Sequence, residues 1–141
     1  MISTVAVGTD GSETAEEAVR QAADIARRYG AKLVLLSAFH SSRGAPPDPD
    51  ADIERQWASN PSARLTTLLE RTEERLRNEG IECETLTDEG DVGDVLVRLA
   101  SECGADMLVI GNKGMKRRVL GSVPNTVAHK ADCSVLVVKT T

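Results

Sequence analysis

The sequence predicts an α/β protein built on one doubly wound, five-stranded parallel sheet with helices on both faces. Short apolar segments alternate with longer amphipathic segments along all 141 residues. This alternation is typical of strand–helix–strand units joined by right-handed crossovers. The apolar residues are almost all aliphatic, since Tyr29, Phe39 and Trp57 are the only aromatic residues of the chain. Aliphatic runs are typical of parallel strands that are covered on both faces.

The first part of the chain predicts a strand, a helix and a second strand. Residues 2–7 form an apolar strand, and the turn 8–11 that follows contains glycine. Ser12 begins a helix with apolar residues at helical spacing, and Gly30 ends it. The segment 32–39 contains a continuous apolar run and is predicted as a strand buried on both faces.

The middle of the chain predicts a long loop, two helices and an edge strand. The segment 41–61 is rich in Pro, Asp, Ser and Gly, and its prolines exclude a helix through the middle. An amphipathic helix follows and ends at Gly80, and the alternating segment 81–86 is predicted as a half-exposed edge strand. Asp91 begins a further helix, which Gly104 ends.

The last part predicts two more strands around a basic loop. Residues 107–110 form the fourth strand, 111–121 a basic loop bounded by glycines, 122–130 a short helix and 133–138 the final apolar strand. We therefore expect a single domain over residues 1–141. In doubly wound sheets, ligands bind beyond the carboxyl ends of the strands where the winding direction reverses. The loops after the first and fourth strands are the places to look for a site.

The overall charge argues against two classes of partner. Seventeen basic and 22 acidic residues give a formal net charge of −5. This balance opposes binding to nucleic acid or to an anionic membrane surface. No apolar run approaches the roughly 18 residues of a membrane-spanning helix, and residues 1–7 carry no basic leader. We expect a cytoplasmic protein.

The cysteines and histidines do not predict a metal site. Cys83, Cys103 and Cys133 lie far apart and form no Cys-x-x-Cys pair. His40 and His129 are the only histidines and lie 89 positions apart. We expect three reduced thiols and no metal bound by the protein's own residues.

The loop 111–121 is the candidate for binding an anion. Its glycines let the backbone approach a phosphate, and the N–H groups of the helix beginning at Ser122 point outward with about half a positive charge. Three glutamates crowd the start of the first helix, whereas residues 122–126 contain no acid. We expect a phosphate at the later helix. The alternative is a loop whose glycines merely turn the chain while Ser122 caps the helix.

These segments resemble the universal stress protein family over essentially the whole chain. The nucleotide signature of that family is similar to Gly111-x2-Gly114 followed by Gly121-Ser122-Val123-Pro124 after an apolar strand. The opening segment 5–12 and the closing segment 131–138 resemble the two ends of the family's domain. The resemblance implies a Rossmann-like sheet of the adenine nucleotide alpha hydrolase-like type, with strand order 3-2-1-4-5.

By matching position, the resemblance also implies which residues bind an adenine nucleotide. The adenine and ribose side would be lined by Gly8, Thr9, Asp10 and Ala38, with Ile110 and Gly111 close to the ribose. The phosphates would be held by Gly114, Gly121, Ser122 and Val123. Lys113 belongs to a basic cluster with Lys116, Arg117 and Arg118 that could neutralise phosphate charge or stay solvated. Without a ligand, Asp10 would be a turn or helix-cap residue and Ala38 a packing residue.

The spacing of the glycines leaves the identity of the nucleotide open. Only six residues separate Gly114 from Gly121, which makes the loop about three residues shorter than the family's usual ATP-binding pattern. ATP, AMP and cyclic AMP are therefore all candidate ligands. Asp10 could help organise a hydrated Mg²⁺ beside a triphosphate.

The resemblance implies a regulatory binding module in the stress response, rather than an enzyme. It also implies a homodimer formed through the last strand, Cys133 to Val138, an apolar edge that invites pairing. Two alternatives remain. One is a nucleotide-free interaction protein, because the family includes members that bind no ATP. The other is a slow ATPase, although no Cys–His, Ser–His–Asp or His-Glu-x-x-His arrangement supplies a nucleophile or an activated water.

Overall fold

The computed structural model describes residues 1–39, 61–112 and 120–139, and within them it contains five strands and four helices. The strands are β1 (Thr4–Gly8), β2 (Lys32–Phe39), β3 (Cys83–Glu89), β4 (Met107–Asn112) and β5 (Ser134–Lys139). The helices are α1 (Glu13–Tyr29), α2 (Pro61–Asn78), α3 (Val92–Glu102) and α4 (Ser122–Lys130). Residues 41–60 of the predicted long loop lie outside the described residues.

The strands form one parallel sheet in the order β3-β2-β1-β4-β5, which confirms the predicted fold class and strand order. β3 lies at one edge of the sheet, as its alternating sequence predicts, and β5 lies at the other. The central strand β1 pairs with both β2 and β4. The winding direction therefore reverses at β1 and β4, and their carboxyl ends open a crevice between them.

The helices cover both faces of the sheet. One cluster of buried residues joins α1 and α2 to one face, and a second joins α3 and α4 to the other. The core is aliphatic, as predicted, with Leu33, Leu35 and Leu36 of β2 completely buried. Burying one such side chain contributes about 2 kcal/mol to folding.

Local signals in the sequence define the ends of the helices. The Ser12 hydroxyl caps α1 by accepting a hydrogen bond from the Ala15 N–H, and the Asp91 carboxylate caps α3 by accepting one from the Asp94 N–H. Gly30 follows α1 with a φ of 64°, a left-handed conformation that glycine adopts without steric cost. These boundaries confirm the predicted positions of both helix starts.

β2 has the predicted bounds, 32–39, and the boundaries of the other four strands differ from the predicted ones by one to three residues. β1 and β5 each begin and end later than predicted, and β3 is Cys83–Glu89 where 81–86 was predicted. β4 continues through Gly111 and Asn112, which the sequence predicts to lie in the loop. In each case pairing with a neighbouring strand sets the end: Glu89 lies opposite Phe39, and Asn112 lies opposite Lys139.

The Asp106 carboxylate connects the amino ends of β1 and β4. Asp106 accepts hydrogen bonds from the backbone N–H groups of Ser3 and Thr4, at 2.9 and 3.0 Å, and from the Ser3 hydroxyl at 3.1 Å. The bond from the Ser3 N–H contributes most to holding the pKa of Asp106 below its usual value. This end of the sheet is opposite to the crevice.

The three cysteines are free thiols. Burial raises the pKa of each of them, and that of Cys83 rises to about 11. Among the described residues, none of the helices is both long and apolar enough to cross a membrane.

Candidate functional site

A cleft lies beyond the carboxyl ends of β1 and β4, where the reversal of winding predicts a ligand site. Its volume is about 330 Å³, within the range of small-molecule sites. The ends of β1, β2 and β4 form its floor. The first residues of α1, α3 and α4 form its walls.

Hydrogen bonds to β2 hold the turn that follows β1. The Thr9 N–H donates to the Leu36 carbonyl at 2.9 Å. The Ser37 hydroxyl donates to the Thr9 carbonyl at 2.6 Å, and Ser37 is only 2% exposed. Because both backbone polar groups of Thr9 are bonded to β2, the floor of the cleft is fixed on this side.

The glycines of the first turn permit close packing against neighbouring leucines. A Cβ on Gly8 would lie 2.9 Å from a methyl of Leu96, which itself lines the cleft. Gly11 has a φ of 81°, and a Cβ there would lie 2.6 Å from a methyl of Leu68. A side chain at either position would push against a leucine, so both positions favour glycine.

Side chains already accept hydrogen bonds from N–H groups at the amino end of α1, and the first turn of this helix is acidic. The Asp10 carboxylate accepts a hydrogen bond from the Ser12 N–H at 2.8 Å, and the Ser12 hydroxyl accepts one from the Ala15 N–H at 3.2 Å. Glu13 and Glu16 lie in the first turn of the helix. These acids balance the positive end of the helix dipole, which makes this end a poor site for an anion.

The amino end of α4 has the opposite character. Gly121 occupies the position before the helix, with a φ of −62° and a ψ of 168°, and no side chain among the described residues caps the helix. The first turn contains no acid. Pro124 has no N–H, so the N–H groups of Ser122 and Val123, with the Ser122 hydroxyl, are the donors that this helix end offers to an anion.

A buried side chain connects the last residue of β4 to the start of α4. The Asn112 side-chain oxygen accepts a hydrogen bond from the Gly121 N–H at 3.0 Å, and Asn112 has no exposed surface. A Cβ on Gly121 would lie 3.3 Å from this oxygen. The contact places the start of α4 directly above the end of β4.

Asp10 is the one charged side chain among the described residues that line the cleft. Within the described ranges, no group of three or more His, Cys, Asp or Glu side chains comes together in a way that could hold a metal ion. The described wall therefore offers backbone donors, hydroxyl groups and apolar surface.

The structure brings most of the predicted site residues to this one cleft. The cleft is lined by Gly8, Thr9, Asp10, Ala38, Ile110, Gly111, Gly121, Ser122 and Val123. Lys113 and Gly114 lie outside the described residues. The alternative in which Ser122 caps α4 is wrong, because Gly121 takes the cap position and Ser122 is the first helical residue.

Several lining residues were not predicted individually, although Asn112 lies in the predicted loop and Pro124 in the quoted signature. They are Ser12, Ala15, Ser37, Val92, Leu96, Asn112 and Pro124. Val92 and Leu96 belong to the first turns of α3, and no local signal marks them. Ser37, a polar residue inside an apolar strand, was a signal that could have been used.

Comparison with known proteins places the chain in a family. The model of the universal stress protein family matches residues 1–139. Universal stress protein Rv1636 of Mycobacterium tuberculosis is 38% identical over 144 residues, covering 98% of this chain and 97% of its own length.

Two solved structures show the same fold. A universal stress protein in complex with cAMP is 33% identical, covers 99% of each chain and has a TM-score of 0.76. A universal stress protein family protein from Arabidopsis thaliana with AMP bound is 24% identical, covers 99% of this chain and 92% of its own, and has a TM-score of 0.74. Its likeness shows the fold alone. The family match over residues 1–139 and the 38% identity to Rv1636 show that the chain belongs to the universal stress protein family.

Proposed function

We propose that the cleft binds an adenine nucleotide and that the nucleotide's phosphate lies at the amino end of α4. The observation that carries this proposal is the contrast between the two helix ends that face the cleft. α1 begins with a side-chain cap and two acids, whereas α4 begins with neither. A phosphate is attracted to the second end and repelled from the first.

The remaining lining residues suit the nucleoside. Asp10 supplies carboxylate oxygens that can accept hydrogen bonds from ribose hydroxyls. Ala38 and Ile110 supply apolar surface at the ends of β2 and β4. Gly8 and Gly111 leave room for the ligand to approach the strand ends. The 33% identical relative that was solved with cAMP supports this class of ligand.

A nucleotide with one phosphate, cyclic AMP or AMP, fits the described wall better than ATP does. The described lining residues carry no positive charge, and α4 offers two backbone N–H groups and one hydroxyl. These donors match a single phosphate, whereas the further charges of a triphosphate would have to be met by the basic cluster Lys113, Lys116, Arg117 and Arg118 or by Mg²⁺. The short spacing of six residues between Gly114 and Gly121 supports the same choice.

Calorimetry with four ligands tests this proposal. Purified protein, unfolded and desalted to remove any bound nucleotide and then refolded, is titrated with cyclic AMP, AMP, ATP and adenosine. We expect saturable binding of cyclic AMP or AMP, weaker binding of adenosine because it lacks the phosphate, and no gain in affinity for ATP, with or without Mg²⁺. Absence of binding by all four ligands at millimolar concentration would contradict the proposal. Mass spectrometry of the first extract identifies any adenine nucleotide that co-purifies.

The homodimer is a separate proposal, and the edge position of β5 supports it. β5 pairs with β4 alone within the described sheet, and its outer edge leaves backbone groups available to another strand. Val135, Leu136 and Val137 are half-buried in a single chain. Sedimentation equilibrium should give twice the mass of the chain at micromolar concentration. A monomer over the whole concentration range would contradict the dimer.

We further propose that the protein acts in the cytoplasm as a regulatory module in the stress response. Its thiols are unpaired, which suits a reducing compartment. Fractionation of cells tests the location, and the survival of a deletion strain under nutrient or oxygen limitation tests the role in the stress response. A protein confined to another fraction, or one whose deletion leaves survival under stress unchanged, would contradict them.

A further inference from the structure

Asn112 occupies an unusual place for a polar side chain. It ends β4, lines the cleft and has no exposed surface, and its side-chain oxygen accepts a hydrogen bond from the Gly121 N–H nine positions along the chain. In β4 its backbone lies opposite Lys139 of β5. Pairing within the sheet therefore fixes Asn112, and the Asn112 side chain in turn fixes Gly121, which precedes α4.

This contact affects the donors that face the cleft. Gly121 immediately precedes Ser122 and Val123, so fixing its N–H also fixes the direction of the two N–H groups that follow. The bond occupies the Gly121 N–H with a partner from the protein itself, which leaves the next two as the donors for a ligand. An amide acceptor carries no charge, so it holds the backbone without repelling an anion, as a carboxylate at this position would.

We infer that Asn112 is a positioning residue for the phosphate: it sets the orientation of the Ser122 and Val123 N–H groups before the ligand arrives. The inference rests on the proposed function, because it assigns a role within the same site. Donors that are held in place before binding require less ordering when the ligand binds, so Asn112 contributes to phosphate affinity without being the phosphate's own donor. Loss of the side chain leaves the Gly121 N–H without its acceptor and α4 with a looser first turn.

Amide hydrogen exchange tests the contact in the ligand-free wild-type protein. Gly121 and Ser122 are neighbours at the same helix start, but Gly121 alone has the buried acceptor. We expect the protection factor of the Gly121 amide to exceed that of Ser122 by about tenfold or more. Asn112→Asp, which has the same size and still offers an oxygen, should keep this protection, and Asn112→Ala should lose it. Equal protection at Gly121 and Ser122 in the wild-type protein would overturn the inference without the use of any variant.

Binding of cyclic AMP and adenosine to the wild-type protein and to Asn112→Ala separates positioning from a general structural role. We expect Asn112→Ala to bind cyclic AMP about tenfold more weakly and adenosine within about twofold of the wild-type affinity. An equal loss for both ligands, or no loss for cyclic AMP, would overturn the role of Asn112 while leaving nucleotide binding intact. A wild-type protein that binds neither ligand would overturn the proposed function and this inference together.

Discussion

A carboxylate placed at the first residue of α4 should affect stability and binding in opposite directions. Ser122 is exposed, begins the helix and has no acid near it in the first turn. In Ser122→Asp, the new charge lies at the positive end of the helix dipole. It should therefore stabilise the folded protein by about 0.3–1 kcal/mol. The same charge occupies the place proposed for the phosphate.

The expected loss of affinity follows from the charges. Two negative charges about 5 Å apart repel by roughly 1–3 kcal/mol when the effective dielectric constant lies between about 80 and 20. Ser122→Asp should therefore bind cyclic AMP about 5-fold to 150-fold more weakly than the wild-type protein. Adenosine has no phosphate, so its affinity should change by less than about twofold.

Ser122→Asn is the matched control, because asparagine has the size of aspartate and no charge. The assay is calorimetric titration of both variants with cyclic AMP and adenosine, together with thermal melting. Ser122→Asp and Ser122→Asn should differ in their affinity for cyclic AMP but not in their affinity for adenosine. Ser122→Asp should have the higher melting temperature. If the two variants bind cyclic AMP equally, or if Ser122→Asp loses as much affinity for adenosine as for cyclic AMP, the phosphate does not lie at this helix end.

Three further predictions concern stability and reactivity. The folded pKa of Asp106 is lowered mainly by the Ser3 N–H, so its stabilisation is present above the unfolded pKa and is lost as pH falls through the folded value. Asp106→Asn should therefore melt below the wild-type protein at pH 7, and the gap should narrow toward pH 3; a constant gap would contradict the assignment. Burial raises the pKa of Cys83 to about 11, so its alkylation at pH 8, followed by mass spectrometry, should be slow in the native protein and fast in urea. Equal rates would show that Cys83 is accessible. Gly30→Ala should cost about 1 kcal/mol for its positive φ, and Gly11→Ala should cost more because its Cβ also meets a leucine methyl. Urea unfolding measures the loss of unfolding free energy in both variants, and equal losses would contradict the packing at Gly11.

The fold was predictable because its signals are local. Apolar runs of strand length, helical spacing of aliphatic residues, and single residues such as Ser12, Gly30 and Asp91 mark the elements without any knowledge of the tertiary structure. The strand boundaries were less predictable. β3 runs on through Thr87, Asp88 and Glu89, whose polarity favours a loop, because β2 provides a pairing partner over the same length.

The candidate site was predictable where the sequence carries a motif. The glycines and Ser122 lie in short, recognisable segments, and the reversal of winding predicts that their loops meet at one edge of the sheet. Val92 and Leu96 could not be placed in the same way. Their positions in the cleft depend on how distant elements pack, and no short-range pattern encodes that.

The predicted helix 122–130 is confirmed, and the alternative in which Ser122 caps it fails for a physical reason. Serine is a favoured helix cap, so a serine just before an apolar helical segment favours that interpretation. In the structure Gly121 precedes the helix, with its N–H bonded to the buried oxygen of Asn112, and α4 begins at Ser122, one residue earlier than a serine cap would require. The hydroxyl of Ser122 is consequently not used as a cap and lies at the rim of the cleft.

The most direct test of the central claim is an amide NMR titration of the wild-type protein with cyclic AMP. The claim that the phosphate lies at the amino end of α4 predicts saturable shifts that are largest at the Ser122 and Val123 amides and much smaller at Glu13 and Glu16 of α1. Largest shifts at the start of α1, or no saturable shift at α4, would contradict it.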